Sequence, residues 1–174
     1  MGFFFCISRE KIYNRELLFH FHFMRTSMYQ VIHPNGVTEM KSLEMILAES
    51  KQTILYFYPA DNTPGCTLEA QSFTALREEF SSLGVQVIGV SVDNEASHKK
   101  FHEKCNLGID LISDTDKSLH NKFEVIGEKK NYGKTYVGTI RSTFLLDSKG
   151  GIIKAWRNIK VNGHADKVLR EVKG

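Results

Sequence analysis

The sequence predicts one α/β domain in which a mixed β-sheet is flanked by helices. Apolar segments of strand length alternate with segments whose apolar residues recur at helical spacing. Near the C-terminus, two strand-like segments follow one another across a short polar turn, which indicates a hairpin and therefore a mixed strand order. The 174 residues, 41% of them hydrophobic, are enough for one domain with one good core.

Two regions differ in character, residues 1–27 and residues 28–174. We interpret the first as an N-terminal extension, either disordered or reflecting a translation start at Met24 or Met28. Its segment 19–23 alternates phenylalanine and histidine, so it could form a strand with two metal-binding histidines on one side. An added strand or an unstructured tail is the simpler interpretation. The regular pattern of the domain begins at residue 28.

The first half of the domain is predicted to begin with a hairpin and a short helix. A His-Pro-Asn-Gly turn sequence separates two strands, at residues 29–32 and 37–40. The capping residue Ser42 and the apolar residues after it predict a helix that ends at Glu49. The β-branched and aromatic run at residues 53–58 predicts a buried central strand.

One long helix should follow the central strand. Leu68, Phe73, Leu76 and Phe80 recur at helical spacing and so predict a face that packs on the core. We expect this helix to end near Gly84, because glycine is favoured just beyond a helix C-terminus.

The second half continues the alternation of strands and helices. Each assignment depends on a run of strand-forming apolar residues, or on helical spacing between turn sequences. The predicted elements are a strand at 85–92, a polar helix at 95–106, a short strand at 110–112, a helix at 117–123, strands at 136–137, 142–146 and 151–156, and a helix at 166–172.

Charge and cysteine content exclude several classes of protein. The net charge is only +3 and the basic residues are scattered, so neither nucleic acid nor a membrane surface is expected as a partner. No apolar segment is long enough for a transmembrane helix. The three cysteines have neither the number of a disulfide framework nor the spacing of a zinc site. We therefore expect free thiols, no metal and a cytoplasmic location.

Cys66 is predicted to lie in the first turn of the long helix. Thr63 is a natural N-capping residue and Pro64 a natural first helical residue, which places Cys66 third in the helix. The unpaired N–H groups of a first turn carry the positive end of the helix dipole and stabilise a thiolate. Cys66 is therefore a candidate nucleophile, and an inert buried cysteine is the alternative.

Ionisation of the thiol alone would not make an efficient catalyst. An ordinary thiol, with a pKa of about 8.5, is about 3% thiolate at pH 7, so full ionisation lowers a barrier by only about 2 kcal/mol. Other groups must stabilise the charge that develops in the transition state. Thr63 and Arg141 are the candidates, and Glu69 could orient the guanidinium. Their plainer roles are a helix cap, a surface strand residue and a favourable charge near a helix start.

Two separated motifs resemble the peroxiredoxin family. The spacing Pro59-x-x-x-Thr63-x-x-Cys66 matches its active-site motif position by position, and Arg141 falls on its active-site arginine. Four segments of the sequence are similar to those of the bacterioferritin-comigratory, or Q-type, subfamily. They are Phe57-Tyr58-Pro59, Thr63-Pro64-Gly65-Cys66-Thr67, Tyr132-Gly133-Lys134 and Arg141-Ser142-Thr143-Phe144-Leu145-Leu146-Asp147.

The resemblance implies a thioredoxin-like fold and a thiol-specific peroxidase. The substrates would be hydrogen peroxide and organic hydroperoxides, and the intermediate a sulfenic acid on Cys66. Thioredoxin or another thiol would regenerate the enzyme. No metal or organic cofactor is implied, and analogy with the subfamily favours a monomer.

The chain departs from the subfamily at the resolving cysteine. Many members carry this second cysteine five residues after the first, where this chain has Gln71, and others carry it on the next helix, where His102 stands. Cys105 shares a helix face with Phe101, which indicates core packing. We therefore expect a one-cysteine mechanism. The alternative is a disulfide between Cys66 and Cys105, which needs their Cα atoms within about 7 Å.

Two rival functions remain on the same fold. A thiol-disulfide oxidoreductase would need a second cysteine near the helix start, and the sequence around Cys66 offers one only. A binding or chaperone module with an idle cysteine would not require Pro59, Thr63, Glu69 and Arg141 together with Cys66. Both rivals are therefore less favoured than a peroxidase.

Overall fold

The polypeptide forms a mixed sheet with helices on both faces. The computed structural model describes residues 27–131 and 134–174. The predicted extension lies outside these ranges except for its last residue. Its alternating segment at 19–23 and Cys6, the first of the three cysteines, are therefore not described. Among the residues that are described, no helix is long and apolar enough to span a membrane.

Nine strands and six helices are present in the described residues. The strands are β1 (Met28–Ile32), β2 (Thr38–Ser42), β3 (Gln52–Phe57), β4 (Val85–Ser91), β5 (Asp110–Ser113), β6 (Ile126–Asn131), β7 (Lys134–Thr139), β8 (Ser142–Asp147) and β9 (Ile152–Arg157). The helices are α1 (Leu43–Ala48), α2 (Pro64–Ala75), α3 (Arg77–Ser82), α4 (Glu95–Cys105), α5 (Ser118–Lys122) and α6 (His164–Lys173).

Seven of the strands form one sheet in the order β2-β1-β5-β4-β3-β8-β9. The strands β3, β4 and β5 are parallel, whereas β8 is antiparallel to β3 and β9 is antiparallel to β8. The predicted mixed order is therefore confirmed. β3 lies near the centre of the sheet, as its apolar sequence predicted. Helices cover both faces of this strand, so nearly all of its side chains are buried.

Alternation along β3 divides the core into two layers. Ile54 and Tyr56 pack with apolar side chains of α2, α3, α4 and α6 on one face of the sheet. Leu55 and Phe57 pack with those of α1 and α5 on the other face. The α1 helix begins as predicted, because the Ser42 hydroxyl accepts a hydrogen bond from its first turn.

The prediction of one continuous helix from residue 64 to Gly84 is wrong in one respect. It is interrupted at Leu76, where the backbone leaves helical geometry (φ −97°, ψ 2°), and continues as α3. Phe73 and Phe80 lie on either side of the break and enter the same core cluster, with ring centroids 6.1 Å apart. Leu68, assigned to the core face, is 45% exposed because it lies on the outer side of α2.

A second, two-stranded sheet lies outside the main one. The strand predicted at residues 136–137 belongs to the longer β7, and its antiparallel partner β6 was not predicted. The β6 sequence is Ile-Gly-Glu-Lys-Lys-Asn, which lacks the apolar run or alternation by which strands are identified. Backbone pairing with β7, rather than burial of an apolar face, therefore defines this strand.

Candidate active site

Cys66 lies in the first turn of α2, beyond the carboxyl end of β3. Pro64 is the first residue of the helix, which makes Cys66 the third, and Thr63 occupies the N-cap position. The Cys66 side chain joins the core cluster on this face of the sheet, and the residue is only 1% exposed. The thiol therefore lies at the N-terminal end of α2, near the positive end of the helix dipole, and is almost removed from solvent.

The hydroxyl of Thr63 does not cap α2. It donates to the carbonyl oxygen of Ala60 at 3.3 Å, while the backbone carbonyl of Thr63 accepts the hydrogen bond from the Thr67 N–H at 2.9 Å. The interpretation that the Thr63 side chain serves as a helix cap is therefore wrong. The residue is exposed and stands three positions before Cys66.

Arg141 reaches Cys66 from the neighbouring strand. The antiparallel pairing of β3 with β8 places Ser142 opposite Phe57, so the residue before β8 lies beside the loop that leads to α2. Nη2 of Arg141 is 3.2 Å from Sγ of Cys66, and Nη1 donates to the Glu69 carboxylate. The guanidinium therefore bridges two residues that are one helical turn apart on α2.

The Glu69–Arg141 pair is almost enclosed by protein. Glu69 is 1% exposed, and its Oε1 has no hydrogen-bond partner among the described residues. Burial raises the pKa of Glu69 to about 7, although the nearby Arg141 acts in the opposite direction. Burial also opposes the charge of Arg141, but Glu69 and Cys66 outweigh it and raise the pKa of the guanidinium. Arg141 therefore keeps its positive charge beside the sulfur.

Pro59 lines a small cavity beside the β6–β7 sheet. The cavity has a volume of about 210 Å³, and Lys129, Tyr136 and Thr139 also contribute to its wall. Nζ of Lys129 donates to the carbonyl oxygen of Thr139 at 2.8 Å. Burial and the charge of Arg141 lower the pKa of Lys129, whereas Cys66 raises it. No pattern in the sequence indicated a role for Lys129, because β6 itself was not predicted.

The other cysteine in the described residues lies elsewhere. Cys105 is the last residue of α4, is half-buried, and packs against the same core cluster as Phe101. His102 is buried and its Nε2 lies 2.8 Å from the carbonyl oxygen of Ile109. No group of three or more His, Cys, Asp or Glu side chains within the described residues could hold a metal ion.

A buried thiol between a helix N-terminus and a guanidinium defines an enzyme of nucleophilic thiol chemistry. Residues 29–155 match the AhpC/TSA family, and the chain belongs to this family. It is 48% identical over 122 residues to a putative peroxiredoxin bcp of Helicobacter pylori, covering 70% of this chain and 80% of that one. It is 46% identical over 125 residues to peroxiredoxin Bcp of Bacillus subtilis, covering 72% and 80%.

Solved structures give the same result. Peroxiredoxin Q of Xanthomonas campestris superimposes with a TM-score of 0.74 at 40% identity, covering 84% of this chain and 89% of that one. A cysteine-to-serine mutant of the same protein gives 0.76 at 39% identity, covering 84% and 89%. The chain therefore has the thioredoxin-like fold of Q-type peroxiredoxins, and it is a peroxidase that uses a peroxide and a thiol reductant.

Proposed function

We propose that Cys66 reduces hydrogen peroxide and organic hydroperoxides to water and alcohols, and that an external thiol regenerates it. The Cys66 thiolate attacks one peroxide oxygen, so an S–O bond forms as the O–O bond breaks. The leaving oxygen departs as hydroxide or alkoxide and takes up a proton, which leaves Cys66 as a sulfenic acid. Two reductant thiols then convert the sulfenic acid to the thiol, with release of water and a disulfide.

The distance of 3.2 Å between Arg141 Nη2 and Cys66 Sγ carries this proposal. During attack, negative charge moves from the sulfur to the departing oxygen. A guanidinium fixed by Glu69 can stabilise the charge at both positions, without reorganisation at the moment of reaction. We assign to Thr63 the donation of a hydrogen bond to the peroxide, and to Pro59 the shielding of the sulfur from solvent.

The placement of Cys105 favours a one-cysteine mechanism. Residues before α2 and in the first turn of α4 are hydrogen-bonded, because Ser97 Oγ donates to Asp61. Beyond the other end of α4, the Gly108 N–H donates to Thr74 Oγ1 near the end of α2. The two helices therefore begin at the same edge of the sheet and run side by side.

Cys66 lies near the beginning of this pair and Cys105 at its far end. The α4 helix has 11 residues, which at 1.5 Å per residue separate its two ends by about 15 Å. A disulfide needs Cα atoms within about 7 Å, so Cys66 and Cys105 could join only if α4 unwound from its C-terminal end. The proposed reductant is therefore a thiol outside the chain.

The other positions for a resolving cysteine support the same proposal. Two structures of the Xanthomonas protein each carry a serine in place of a different cysteine. Those two cysteines are separated in sequence by the same number of residues as Cys66 and His102 in this chain. His102 is buried and carries no thiol. Gln71, the alternative position on α2, is exposed and equally unable to form a disulfide.

Peroxide consumption by three proteins tests the proposal. The wild type, Cys66→Ser and Cys105→Ser are each assayed with hydrogen peroxide, once with a thioredoxin system and once with dithiothreitol. We expect Cys66→Ser to lose turnover and Cys105→Ser to match the wild type with both reductants. Absence of turnover in the wild type, and so no difference from Cys66→Ser, would support the binding-module alternative. Loss of thioredoxin-supported turnover in Cys105→Ser would support Cys105 as the resolving thiol.

We also propose that residues 28–174 form the catalytic domain and that it acts as a monomer in the cytoplasm, without a metal or organic cofactor. Free thiols persist in a reducing compartment, and Cys66 and Cys105 are both free. Light scattering of the purified protein tests the monomer directly, and a mass near twice 19.9 kDa would contradict it.

A further inference from the structure

Regeneration requires a thiol to reach a sulfur that is nearly inaccessible. Cys66 is 1% exposed and is enclosed by α2, Arg141 and the core cluster on this face. A peroxide has few atoms, whereas the thiol of a protein such as thioredoxin is carried by a large surface. The loop over residues 59–63, which leads into α2, must therefore move before such a thiol can meet the sulfenic acid.

Asp61 fixes this loop to the rest of the protein. Its carboxylate accepts hydrogen bonds from Tyr58 Oη at 2.7 Å and Ser97 Oγ at 2.7 Å. Nδ1 of His98 lies 3.0 Å from the same carboxylate. The Asp61 N–H donates to Oδ2 of Asp93 at 2.9 Å. The middle of a surface loop is thereby bound to the end of β3 and to the first turn of α4.

The charge and burial of Asp61 make this connection strong. Asp61 is 8% exposed, and His98 is fully buried. Burial alone would raise the pKa of Asp61, but the hydrogen bonds from His98, Ser97 and Tyr58 outweigh it and hold the pKa below its usual value. The carboxylate is therefore ionised at neutral pH, and hydrogen bonds to an ionised group are about twice as strong as neutral ones.

The hydrogen bonds around Asp61 take no part in the chemistry at the sulfur itself. Tyr58, Ser97 and His98 make no hydrogen bond to Cys66 or Arg141 among the described residues, and Nε2 of His98 is buried without a partner. The next residue, Asn62, has a positive φ of 58°, so the chain turns sharply between Asp61 and α2. The hydrogen bonds that fix Asp61 therefore also fix the start of α2, and with it the position of Cys66.

We propose that Asp61 is a positioning residue that latches the 59–63 loop to α4. With the latch closed, Cys66 faces Arg141 and reacts with peroxide. With the latch released, the loop opens and the sulfenic acid becomes accessible to the reductant. The latch thus sets the balance between the two half-reactions, an inference that rests on the function proposed for Cys66.

The two half-reactions, measured separately in Asp61→Asn, test the latch. Asparagine keeps the shape of the side chain but weakens the bonds from His98 and Ser97. We expect oxidation by hydrogen peroxide in a single turnover to slow about tenfold, the effect of weakening one charge-assisted hydrogen bond. Reduction of the preformed sulfenic acid by thioredoxin should accelerate by a similar factor. A merely structural defect would slow both steps.

Asp114→Asn is the matched control. Asp114 forms the other buried carboxylate–histidine pair of the described residues, with His120 Nδ1 at 2.6 Å, but it precedes α5, where it accepts the Leu119 N–H, and is not part of the Cys66 loop. Both half-reactions should stay at the wild-type rate in this variant. Should Asp61→Asn fail to fold, Ser97→Ala removes one bond of the latch and should change the two rates in the same opposite directions.

The outcomes separate the latch from the function on which it rests. If the wild type forms no sulfenic acid on Cys66, the proposed mechanism fails before the latch is in question. If it does, equal rates in Asp61→Asn and the wild type, or a decrease in both half-reactions, overturn the latch alone.

Discussion

Arg141 and Glu69 form a buried ion pair in which the guanidinium also contacts the sulfur of Cys66. Nη1 bonds the Glu69 carboxylate, and Nη2 lies 3.2 Å from Sγ. A planar guanidinium can hold both contacts at once because its nitrogens are fixed in one fork. The pair therefore determines the position of a positive charge next to the reacting thiol.

Arg141→Lys should slow peroxide reduction although it keeps the charge. A single ammonium cannot contact both Glu69 and Cys66 in the same geometry, so we expect the second-order rate constant with hydrogen peroxide to fall about a hundredfold. Stopped-flow measurement of thiol oxidation gives this rate. Arg157→Lys is the control, since Arg157 donates only to backbone carbonyls of Phe123 and Glu124. Equal losses in the two variants would count against the assigned role.

Glu69→Gln should change the pH dependence of stability. The pKa of Glu69 is about 7 in the folded protein and near 4.5 when unfolded, so the folded state holds its proton more tightly. This contribution to stability is complete below pH 4.5 and is lost as the pH rises through 7, by about 3 kcal/mol in all. The free energy of unfolding, measured with urea, should therefore fall more between pH 5 and pH 8 in the wild type than in Glu69→Gln. Parallel changes would contradict the raised pKa.

Thr63→Val should reduce activity with little loss of stability. The Thr63 hydroxyl makes no capping bond to α2, so its removal should cost less than about 1 kcal/mol. If it donates to the peroxide, the oxidation rate should fall at least about tenfold. Thr63→Ser, which keeps the hydroxyl, should restore that rate.

Ser42→Ala provides the opposite pattern as a control. The Ser42 hydroxyl does cap α1, at 3.2 Å from the Met45 N–H, and it is remote in sequence from the site. Its loss should lower the free energy of unfolding by about 1 kcal/mol and leave the peroxide reaction unchanged. An unchanged oxidation rate in Thr63→Val would remove Thr63 from the chemistry.

Features with a local signal could be predicted from the sequence. The start of α1 at a capping serine, the burial of β3 and the position of Cys66 in the first turn of a helix all follow from neighbouring residues. The break at Leu76 does not, because the helical spacing of apolar residues continues across it and no glycine or proline stands there.

Contacts between distant residues were the least predictable part of the site. The bond between Arg141 and Cys66 could be anticipated because a known motif names both residues. The contact of Asp61 with His98 joins residues 37 apart and has no local pattern. Likewise, β6 is defined by its pairing with β7, since its polar sequence has no apolar face.

The mass of the intact protein after one equivalent of hydrogen peroxide tests the central claim most directly. The wild type and Cys105→Ser are each treated with and without a reagent that traps sulfenic acids. The account predicts a trapped adduct that maps to Cys66 in both proteins, with no internal disulfide. It would be contradicted if the wild type instead lost about two mass units and only Cys105→Ser could be trapped, because Cys105 would then be the resolving thiol.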